Sequence, residues 1–492
     1  MIDFQATGWP PSAEDVKRLE DYQRYTQLFE GDHASAFAEK SAKLPSGVAS
    51  KVYLIADYPK LISNVCGDML FGEAPIFSAE DEAEQKLITD LVDSNDLIST
   101  LMEAALSQSF RGDAVFRCRV GTRDTDGQRG VIIEEVPAHS YFQEVDSQDC
   151  RRVLSEAIAW VHPTEESDYL RVEHHLKGEV VQQAFELDLN TGKVGDFVPL
   201  EFLHGSDAPP EREATGLPFS LLTHIPNTRH GSRRWGASDF AGGLESLFDA
   251  VNNRLSKIEA ILDKHADPNL VVPQGTLDDD GNLEKSTGLV FEVPTEDGGS
   301  NLPRYMTWEG QLLACFQELE VLGDLIFKFS EISPAIFGQD KAGSIESGRA
   351  MRMRFIRTLA KMSRKKQIWD PRLKRILWVA RKLGEKFLNW PAAPESPAKT
   401  VEIEWQDGLP VDQTEQVGIE VQRVREGLTT KEKAIRRLDQ VNAAQARKEL
   451  AAIAKEKAAA TPPQLAAAPP TGTEPPPAEN SPDPAARPPE GA

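Results

Sequence analysis

The spacing of hydrophobic residues predicts helices at the start of the chain. Across residues 12–43, apolar side chains recur every three or four positions and so fall on one helical face: Leu19, Tyr22, Tyr25 and Phe29. Ser12 has a hydroxyl that can cap the first of these helices. The same period continues over residues 51–72, interrupted at Pro59, and over residues 82–109.

The period then changes to the alternation of a β-strand. Residues 112–120 and 131–136 alternate around a turn that ends at Gly127, which predicts a hairpin. Four further segments have strand character: residues 156–161, 169–174, 180–187 and 219–224. Residues 112–226 therefore form a small, mainly antiparallel β-region.

A helix, a β-type insertion and a second helix follow. The first helix is predicted to begin at Ser238 or Asp239, as its cap, and to reach Ala266, a length of roughly 40 Å. Residues 269–306 return to β-type sequence, and residues 308–330 form the second helix. Two such helices can run antiparallel and carry the β-insertion at their far end. On pattern alone, an ordinary αα-hairpin with an insertion is the simpler interpretation.

The rest of the chain is helical and charged. Residues 347–388 are strongly helical and basic, residues 400–405 form a late strand, and residues 411–459 are helical with an alanine-rich end. The predicted fold class is α+β and mainly helical. Residues 460–492 are rich in proline and cannot bury enough apolar surface to fold, so we expect them to be disordered.

Composition limits the functions that the chain can have. With 492 residues the chain should form two to four domains. A net charge of -23 argues against a protein that coats DNA or an anionic membrane, although an acidic protein could line a passage through which DNA slides. Acidity can equally serve solubility alone. The four cysteines lack paired spacing, no signal peptide or membrane span is visible, and we expect buried thiols and a cytoplasmic site of assembly.

The segment GQDKAGS, starting at Gly338, is similar to a phosphate-binding loop. A nucleotide-binding loop has a lysine after its second glycine and follows a buried strand. Here Ser344 follows Gly343, Lys341 lies inside the loop, and the preceding segment is predicted to be a helix. Nucleotide binding at this loop is therefore disfavoured.

No other motif predicts catalysis or a cofactor. His174 and His175 are adjacent on a predicted strand, so their side chains point to opposite faces, and we expect both at the surface. The run Asp278–Gly281 resembles the start of a calcium loop but lacks the glutamate at the twelfth position, so a turn is favoured. We expect no metal, no cofactor and no enzymatic activity.

The helix after the glycine-rich loop concentrates positive charge in an acidic chain. Its cations can pair with acidic neighbours, or they can contact nucleic-acid phosphates or the acidic faces of adjacent subunits. The first interpretation is the simpler one. The cations are Arg349, Arg352, Arg354, Arg357, Lys361, Arg364, Lys365, Lys366, Arg372, Lys374, Arg375, Arg381 and Lys382.

The order of several short motifs resembles the portal proteins of tailed double-stranded DNA phages of the long-tailed type. Each motif is weak alone, but their order over about residues 20–455 is fairly specific. The motifs are Phe71-Gly72-Glu73 with Pro75 and Ile76; Gly112 to Phe116; Gly236 to Asp239 with Asp249, Asn252, Asn253 and Ser256; Pro334 with Phe337 and Gly338; and the loop that ends at Ser347-Gly348 before the basic helix.

The resemblance implies a division of the chain into the parts of a portal subunit. Residues 1–235 (N-terminal helices plus the β-region 112–226) and 349–406 would form the wing. Residues 237–266 and 308–330 would be the stem, 267–307 the clip, 331–348 the tunnel loop and 410–459 the crown.

It also implies site residues and partners. The channel-facing loop residues would be Gly338, Lys341, Gly343, Ser344, Glu346, Gly348 and Arg349. Charged stem residues would be Glu245, Asp249, Lys257, Asp263 and Lys264, and the clip would dock partners through Asp278, Asp279 and Asp280.

The implied assembly is a homo-oligomeric ring, usually of twelve subunits, at one capsid vertex of a virion assembled in the host cytoplasm. Its partners would be double-stranded DNA, the large terminase subunit, a head–tail adaptor, and the major capsid and scaffolding proteins, with no membrane. The alternatives are a nucleotide-using enzyme of DNA metabolism and another oligomeric scaffold or adaptor.

Overall fold

The computed structural model of the protein describes most of the chain. The described residues are 1–38, 53–123, 127–165, 167–229, 233–266, 270–273, 290–293, 304–305, 312–338, 352–406, 408 and 413–460. They combine helices and strands, as the sequence predicts, and the proline-rich tail lies outside them.

The helices occur in three groups. Those before the β-region are α1 (Phe4–Thr7), α2 (Ala13–Glu30), α3 (His33–Ala36), α4 (Tyr58–Gly67), α5 (Glu82–Ser94) and α6 (Leu97–Arg111). Those that follow are α7 (Leu200–His204), α8 (Leu244–Ala266), α9 (Leu312–Ser330) and α10 (Ile356–Phe387). The last three are α11 (Gln413–Arg425), α12 (Lys431–Asp439) and α13 (Ala443–Ala460).

Local chemistry sets the ends of the first helices. The Ser12 hydroxyl accepts from the Asp15 N–H at 3.1 Å, which confirms the predicted cap. The predicted continuous helix over 12–43 is wrong at Gly31, which takes a left-handed conformation and closes α2 on Gln27. The short helix α3 follows, and residues 39–43 lie outside the described residues. The predicted helix over 82–109 is also wrong in one place. It breaks at Asn95, whose side chain leaves the helix and binds the backbone of Val131 and Ile133.

The β-region is antiparallel, as predicted, and it contains two sheets. In the smaller sheet, β2 (Asp113–Thr122) lies between β3 (Arg129–Val136) and β10 (Leu222–Pro226). The strands of the larger sheet are β4 (Tyr141–Val145), β5 (Val153–Pro163), β6 (Asp168–His175), β7 (Glu179–Asp188), β8 (Lys193–Phe197) and β9 (Arg212–Ala214). They follow chain order from β4 to β8, and β9 pairs with β7.

The two adjacent histidines at the end of β6 are buried, so the prediction that they lie at the surface was wrong. His174 packs against Phe4 of α1, with 6.1 Å between ring centroids, and His175 Nε2 lies 2.6 Å from Glu173 Oε1. The positions of the two histidines in the sequence do not by themselves predict the contact with Phe4 or the pairing with Glu173. Alternation located the strand correctly but could not show that both of its faces are covered.

The main core forms where the basic helix α10 lies against the smaller sheet and the N-terminal helices. Trp369 of α10 is fully buried between Phe71 and Phe116, and its Nε1 donates to Gln108 Oε1 at 2.9 Å. Burial of such a side chain contributes about 3 kcal/mol or more to stability. The buried face of this helix is therefore the centre of the main core.

The first helix of the predicted helix pair begins later than expected. Ser238 and Asp239 are not its cap, because Gly242 and Gly243 adopt positive φ angles of 82° and 100° and interrupt any helix there. The helix α8 begins at Leu244. Asp239 is buried instead, in an ion-paired cluster described below.

The C-terminal part forms charged helices, as predicted, tied back to the core by a small sheet. β14 (Glu402–Glu404) pairs antiparallel with β1 (Ile76–Ser78). Arg436 of α12 reaches this sheet, with Nη2 bonded to Ser78 Oγ at 3.1 Å and paired with Glu404 at 3.1 Å.

Candidate functional site: a helix pair and its buried anchor

Helices α8 and α9, here called the helix pair, pack against each other and run in opposite directions. The segment before α4 follows α8 backwards: Leu54 N donates to Ser256 Oγ and Ala56 N donates to Asn252 Oδ1, both at 2.9 Å. The Tyr58 ring then meets Phe327, near the end of α9. The end of α9 therefore lies beside the first half of α8.

The connection between the two helices contains a small sheet. β11 (Leu270–Pro273) lies between β12 (Val290–Val293), which is parallel to it, and β13 (Arg304–Tyr305), which is antiparallel. Both strand and helix segments of the predicted helix–β–helix unit are thus present. Outside the small sheet, Arg254 and Glu318 join the two helices by an ion pair of 2.6 Å.

Asn252 fastens α8 to the N-terminal helices. Its side chain is fully buried, accepts from Ala56 N, and has Nδ2 2.8 Å from His33 Nδ1. Burial lowers the pKa of His33. The neutral ring can donate from Nε2 to the Leu28 carbonyl at 3.0 Å while Nδ1 accepts from Asn252. This explains why α8 has an asparagine on its buried face.

A buried ion cluster, here called the anchor, joins the segment before α8 to the basic helix α10. The Asp239 carboxylate lies 3.0 Å from Lys361 Nζ and 2.7 Å from Lys365 Nζ, and it accepts from Ser109 Oγ at 2.7 Å. Burial alone would raise the pKa of Asp239, but the two ammonium groups hold that pKa well below its ordinary value. The Asp239 carboxylate is therefore ionised at neutral pH, and it lies between the two ammonium groups.

A second polar network, centred on Asp113, closes the junction between β2 and the same segment. The Asp113 carboxylate accepts from the Tyr22 hydroxyl, lies 2.6 Å from His224 Nε2, and accepts from Gly236 N at 2.9 Å. Burial, followed by the Asp113 charge, raises the pKa of Tyr22 well above its ordinary value, so the phenol remains a donor. The segment that leads into the helix pair is thus hydrogen-bonded to β2 next to its contacts with α2 and β10.

Most of the described cations of the basic helix form ion pairs or hydrogen bonds within the chain. Besides the two anchor lysines, Arg381 makes a bidentate pair with Glu84 at 2.7 Å, and Arg364 pairs with Glu331 at 2.6 Å. These contacts fit the interpretation of a helix that pairs with acidic neighbours. Lys361 and Lys365 could have been suspected from sequence, since with Thr358 and Trp369 they repeat at helical spacing on the buried face.

The structure places some of the sequence-predicted residues of the helix pair. Glu245 is half-buried and pairs with Arg24 of α2 at 2.8 Å, while Asp249 accepts from Asn253 Nδ2. Lys257 and Asp263 are exposed, and Lys264 lies in the last turn of α8. Glu245 therefore fastens the helix pair to the N-terminal helices.

Most of the predicted loop and insertion residues lie outside the described residues. These are Lys341, Gly343, Ser344, Glu346, Gly348 and Arg349 of the loop, and Asp278, Asp279 and Asp280 of the insertion. Gly338 is described and ends a short 3-10 helix with φ of 67°. The helix α9 and then this 3-10 helix precede the loop, in place of the strand that a nucleotide-binding loop requires.

Glu135 of β3 is a half-buried carboxyl whose pKa differs from the ordinary glutamate value. Burial raises its pKa to about 7, although Arg111 partly opposes the shift. The folded-state pKa lies above the ordinary value of 4.5. The contribution of Glu135 to folding stability is therefore fully present below pH 4.5 and is lost as the pH rises towards about 7.

We expect Glu135→Gln to raise the unfolding free energy at pH 8 by about 2 kcal/mol, because the amide mimics the protonated acid. At pH 4 the two proteins should be equally stable, and urea unfolding at both pH values measures this. The neighbouring Glu134→Gln is the control. The charges of Arg117 and Arg119 lower the pKa of Glu134 despite its burial, so this variant should lose stability at pH 8. A gain for Glu135→Gln that is equal at both pH values would contradict the burial argument.

Comparison with known proteins identifies one family. Residues 243–463 match the family described as "Phage portal protein, SPP1 Gp6-like". The matching segment contains the helix pair, its β-insertion, the glycine-rich loop, the basic helix and α11 to α13. The resemblance to portal proteins that the sequence motifs suggest is confirmed over this segment.

The other comparisons add little. One similar solved structure is a chain from "Neck of native GTA particle computed with C12 symmetry", with 10% identity, 77% of this chain and 89% of that chain covered, and a TM-score of 0.43. A TM-score this low does not establish a shared fold. No curated protein matches the chain.

Among the described residues, no group of three or more His, Cys, Asp or Glu side chains could hold a metal ion. None of the helices in the part of the chain that the structure describes has the length and hydropathy of a membrane span.

Proposed function

We propose that this chain is the subunit of a phage portal, a ring at one capsid vertex through which the genome enters and leaves. The observation that carries the proposal is the portal-family match over residues 243–463. In such a ring, the helix pair would be the stem, residues 267–307 the clip and residues 331–348 the tunnel loop. Residues 1–235 and 349–406 would be the wing, and residues 410–459 the crown.

The partners of this ring follow from its place in the particle. The clip, through Asp278, Asp279 and Asp280, would dock the large terminase subunit during packaging and a head–tail adaptor afterwards. The wing and crown would meet capsid and scaffolding proteins in a virion assembled in the host cytoplasm. The protein would act as a conduit without catalysis.

The charge of the helix pair suits a channel for DNA. Asp324 and Glu320 are exposed on α9, and Lys257 and Asp263 are exposed on α8. Phosphate contacts repeated by every subunit of a ring would add up and hold the DNA. A mixed but mainly acidic surface, on a chain of net charge -23, keeps such contacts brief. Loop residues such as Lys341 and Glu346 would supply transient contacts.

The α9 helix also exposes apolar side chains that a neighbouring subunit can cover. The exposed fractions of Leu313, Phe316, Val321 and Phe329 are 73%, 51%, 57% and 62%. Val321 and Phe329 are eight residues apart and so lie on one side of the helix. Contiguous exposed apolar surface usually marks an interface, and a ring requires one patch of each copy to meet a different patch of the next.

We expect the double variant Val321→Ser with Phe329→Ser to remain folded but to lose ring assembly, because both side chains are exposed in the single chain. The wild-type 54.4 kDa chain should assemble to a closed ring of about 650 kDa if twelve copies are present. Light scattering after gel filtration measures the mass, and circular dichroism checks the fold.

Leu189→Ser is the control, because Leu189 is 51% exposed in the turn between β7 and β8 and far along the chain from the helix pair. It should assemble like the wild type. A double variant that forms rings at wild-type concentrations would show that this side of α9 is not a subunit contact.

A further inference from the structure

A basic cleft lies between the two sheets of the β-region and the helix α10. Its cavity volume is about 310 Å³, and it is lined by residues from β4, β5, β10 and α10, among others. We call it the arginine cleft, after Arg229, Arg372 and Arg375 in its lining.

The charge of the arginine cleft is opposite to that of the chain. Arg151 and Lys177 also line it, which makes five cations, while Glu156 is the one carboxylate in its lining. Glu156 already accepts a hydrogen bond from the Tyr141 hydroxyl. In a protein with 78 acidic residues and 55 basic ones, a concave site with this excess of positive charge needs an explanation.

Arg372 has no carboxylate in direct contact among the described residues. No hydrogen bond or ion pair joins it to another described residue, and it is half-buried. Burial, and then the charges of Arg229 and Arg375, lower the pKa of Arg372, while Tyr141 and Glu156 partly oppose this shift. Partial burial of a guanidinium without a direct ion pair is costly, so a site that retains one normally has an anion to meet it.

The other two arginines are held in place but remain incompletely bonded. Arg375 Nη2 donates to the Ser220 carbonyl at 3.2 Å, and its guanidinium lies 6.0 Å from the centre of the Phe219 ring. Arg229 Nη2 lies 3.4 Å from His224 Nδ1, while its buried Nε has no partner among the described atoms. These contacts hold the two guanidinium groups in place, and some of their N–H donors remain without a partner among the described atoms.

Neutral polar groups in the same lining are also unpartnered. Gln143, Ser155 and Thr223 have exposed fractions of 4%, 4% and 2%, and all three line the cleft. Within the described chain, neither Gln143 amide atom has a hydrogen-bond partner, and the Ser155 and Thr223 hydroxyl oxygens have none either. Buried polar atoms are normally paired, so their grouping around one cavity points to a ligand with several acceptors.

We propose that the arginine cleft is a binding site for one oxyanion group, a carboxylate or a phosphate. Arginine forks match the geometry of both anions. The cavity is of the size that holds a small ligand or a single side chain, and a DNA duplex is far too wide to enter it. The oxyanion comes either from a free ion in solution or from a carboxylate of a neighbouring copy.

Titration with inorganic phosphate at constant ionic strength tests the site in the full-length protein. We expect calorimetry to detect phosphate binding that also raises the thermal unfolding midpoint, since a ligand of the folded state stabilises it. Arg372→Gln should bind phosphate about tenfold or more weakly. Arg357→Gln, which removes an exposed arginine from the same helix outside the cleft lining, should bind as the wild type does.

The fold of the variant is checked without phosphate. Arg372→Gln should then unfold no earlier than the wild type, because it removes one of three neighbouring cations. If Arg372→Gln does not fold, Arg375→Gln serves as the second variant, with the same expected loss of phosphate binding.

Comparing monomers with assembled rings distinguishes the two sources. Binding to both forms indicates a free anion. Binding to monomers alone, or reduced assembly of Arg372→Gln with wild-type assembly of Arg357→Gln, indicates the neighbour's carboxylate. Equal phosphate binding by the wild type and Arg372→Gln would overturn the proposal. So would the absence of phosphate binding together with unchanged assembly of Arg372→Gln. If the wild type forms no rings, this result counts against the portal proposal. Phosphate binding by the monomer then decides whether the cleft binds an oxyanion.

Discussion

Asp239→Asn should lower the unfolding free energy by about 3–5 kcal/mol, because it leaves Lys361 and Lys365 as buried cations with no carboxylate between them. The loss exceeds that of an ordinary surface substitution, since neither lysine can reach water without opening the contact between α10 and the segment before α8. Urea unfolding at pH 7 measures the change. In the wild type, the same stabilisation should disappear as pH falls below the ordinary aspartate value of 3.8 and through the depressed pKa of Asp239.

Two further variants test whether the loss of stability comes from the unpaired buried charges of the anchor. Asp263→Asn removes an exposed carboxylate from the helix pair and should change the unfolding free energy by less than about 0.5 kcal/mol. Combining Asp239→Asn with Lys361→Met and Lys365→Met should recover most of the loss, because a buried ion cluster can often be replaced by apolar groups. A loss below about 1 kcal/mol for Asp239→Asn alone would refute the anchor as a stabilising element.

Gly236→Ala should cost about 3 kcal/mol or more, because there is no room for a methyl group at the junction between β2 and the helix pair. A Cβ on Gly236 would overlap the Gly112 carbonyl oxygen and lie 2.6 Å from Asn227 N. Both atoms belong to the backbone, and they are hydrogen-bonded to each other at 2.7 Å. Neither can move without loss of that bond, so the helix pair would lose its fixed point of departure.

Gly418→Ala is the matched control for this substitution. A Cβ on Gly418 meets nothing within 4 Å, and the residue lies inside α11. Alanine there should raise stability by up to about 1 kcal/mol through its better helix propensity. Equal effects of the two substitutions on the urea midpoint would mean that the close backbone contact at Gly236 does not constrain the fold.

The sequence predicted the strands and the long helices because these depend on local periodicity. Residues 112–120 and 131–136 alternate, and they pair as β2 and β3 in the expected hairpin. The predicted start of α8 was wrong because hydrophobic periodicity and cap chemistry do not show the backbone conformation of the residues in between. Ser238 and Asp239 have the chemistry of a helix cap, but the positive φ angles of Gly242 and Gly243 decide where the helix begins.

The ion-paired anchor and the arginine cleft depend on contacts between distant parts of the chain. Asp239 meets Lys361 only because α10 packs against the segment before α8, and hydrophobic periodicity does not specify that pairing. Likewise, Arg229 and Arg372 come together from a strand end and a helix. The sequence showed an excess of positive charge on α10 but could not show which cations are neutralised within the fold and which are left for a ligand.

Electron microscopy of the purified protein tests the portal proposal most directly. Averaged images should show closed rings with a central channel wide enough for duplex DNA, about 20 Å or more. The helix pair of each subunit should lie around this channel, with the acidic side chains of α9 towards it. A protein that remains monomeric at high concentration, or that forms rings with the helix pair on the outside, would contradict the proposal.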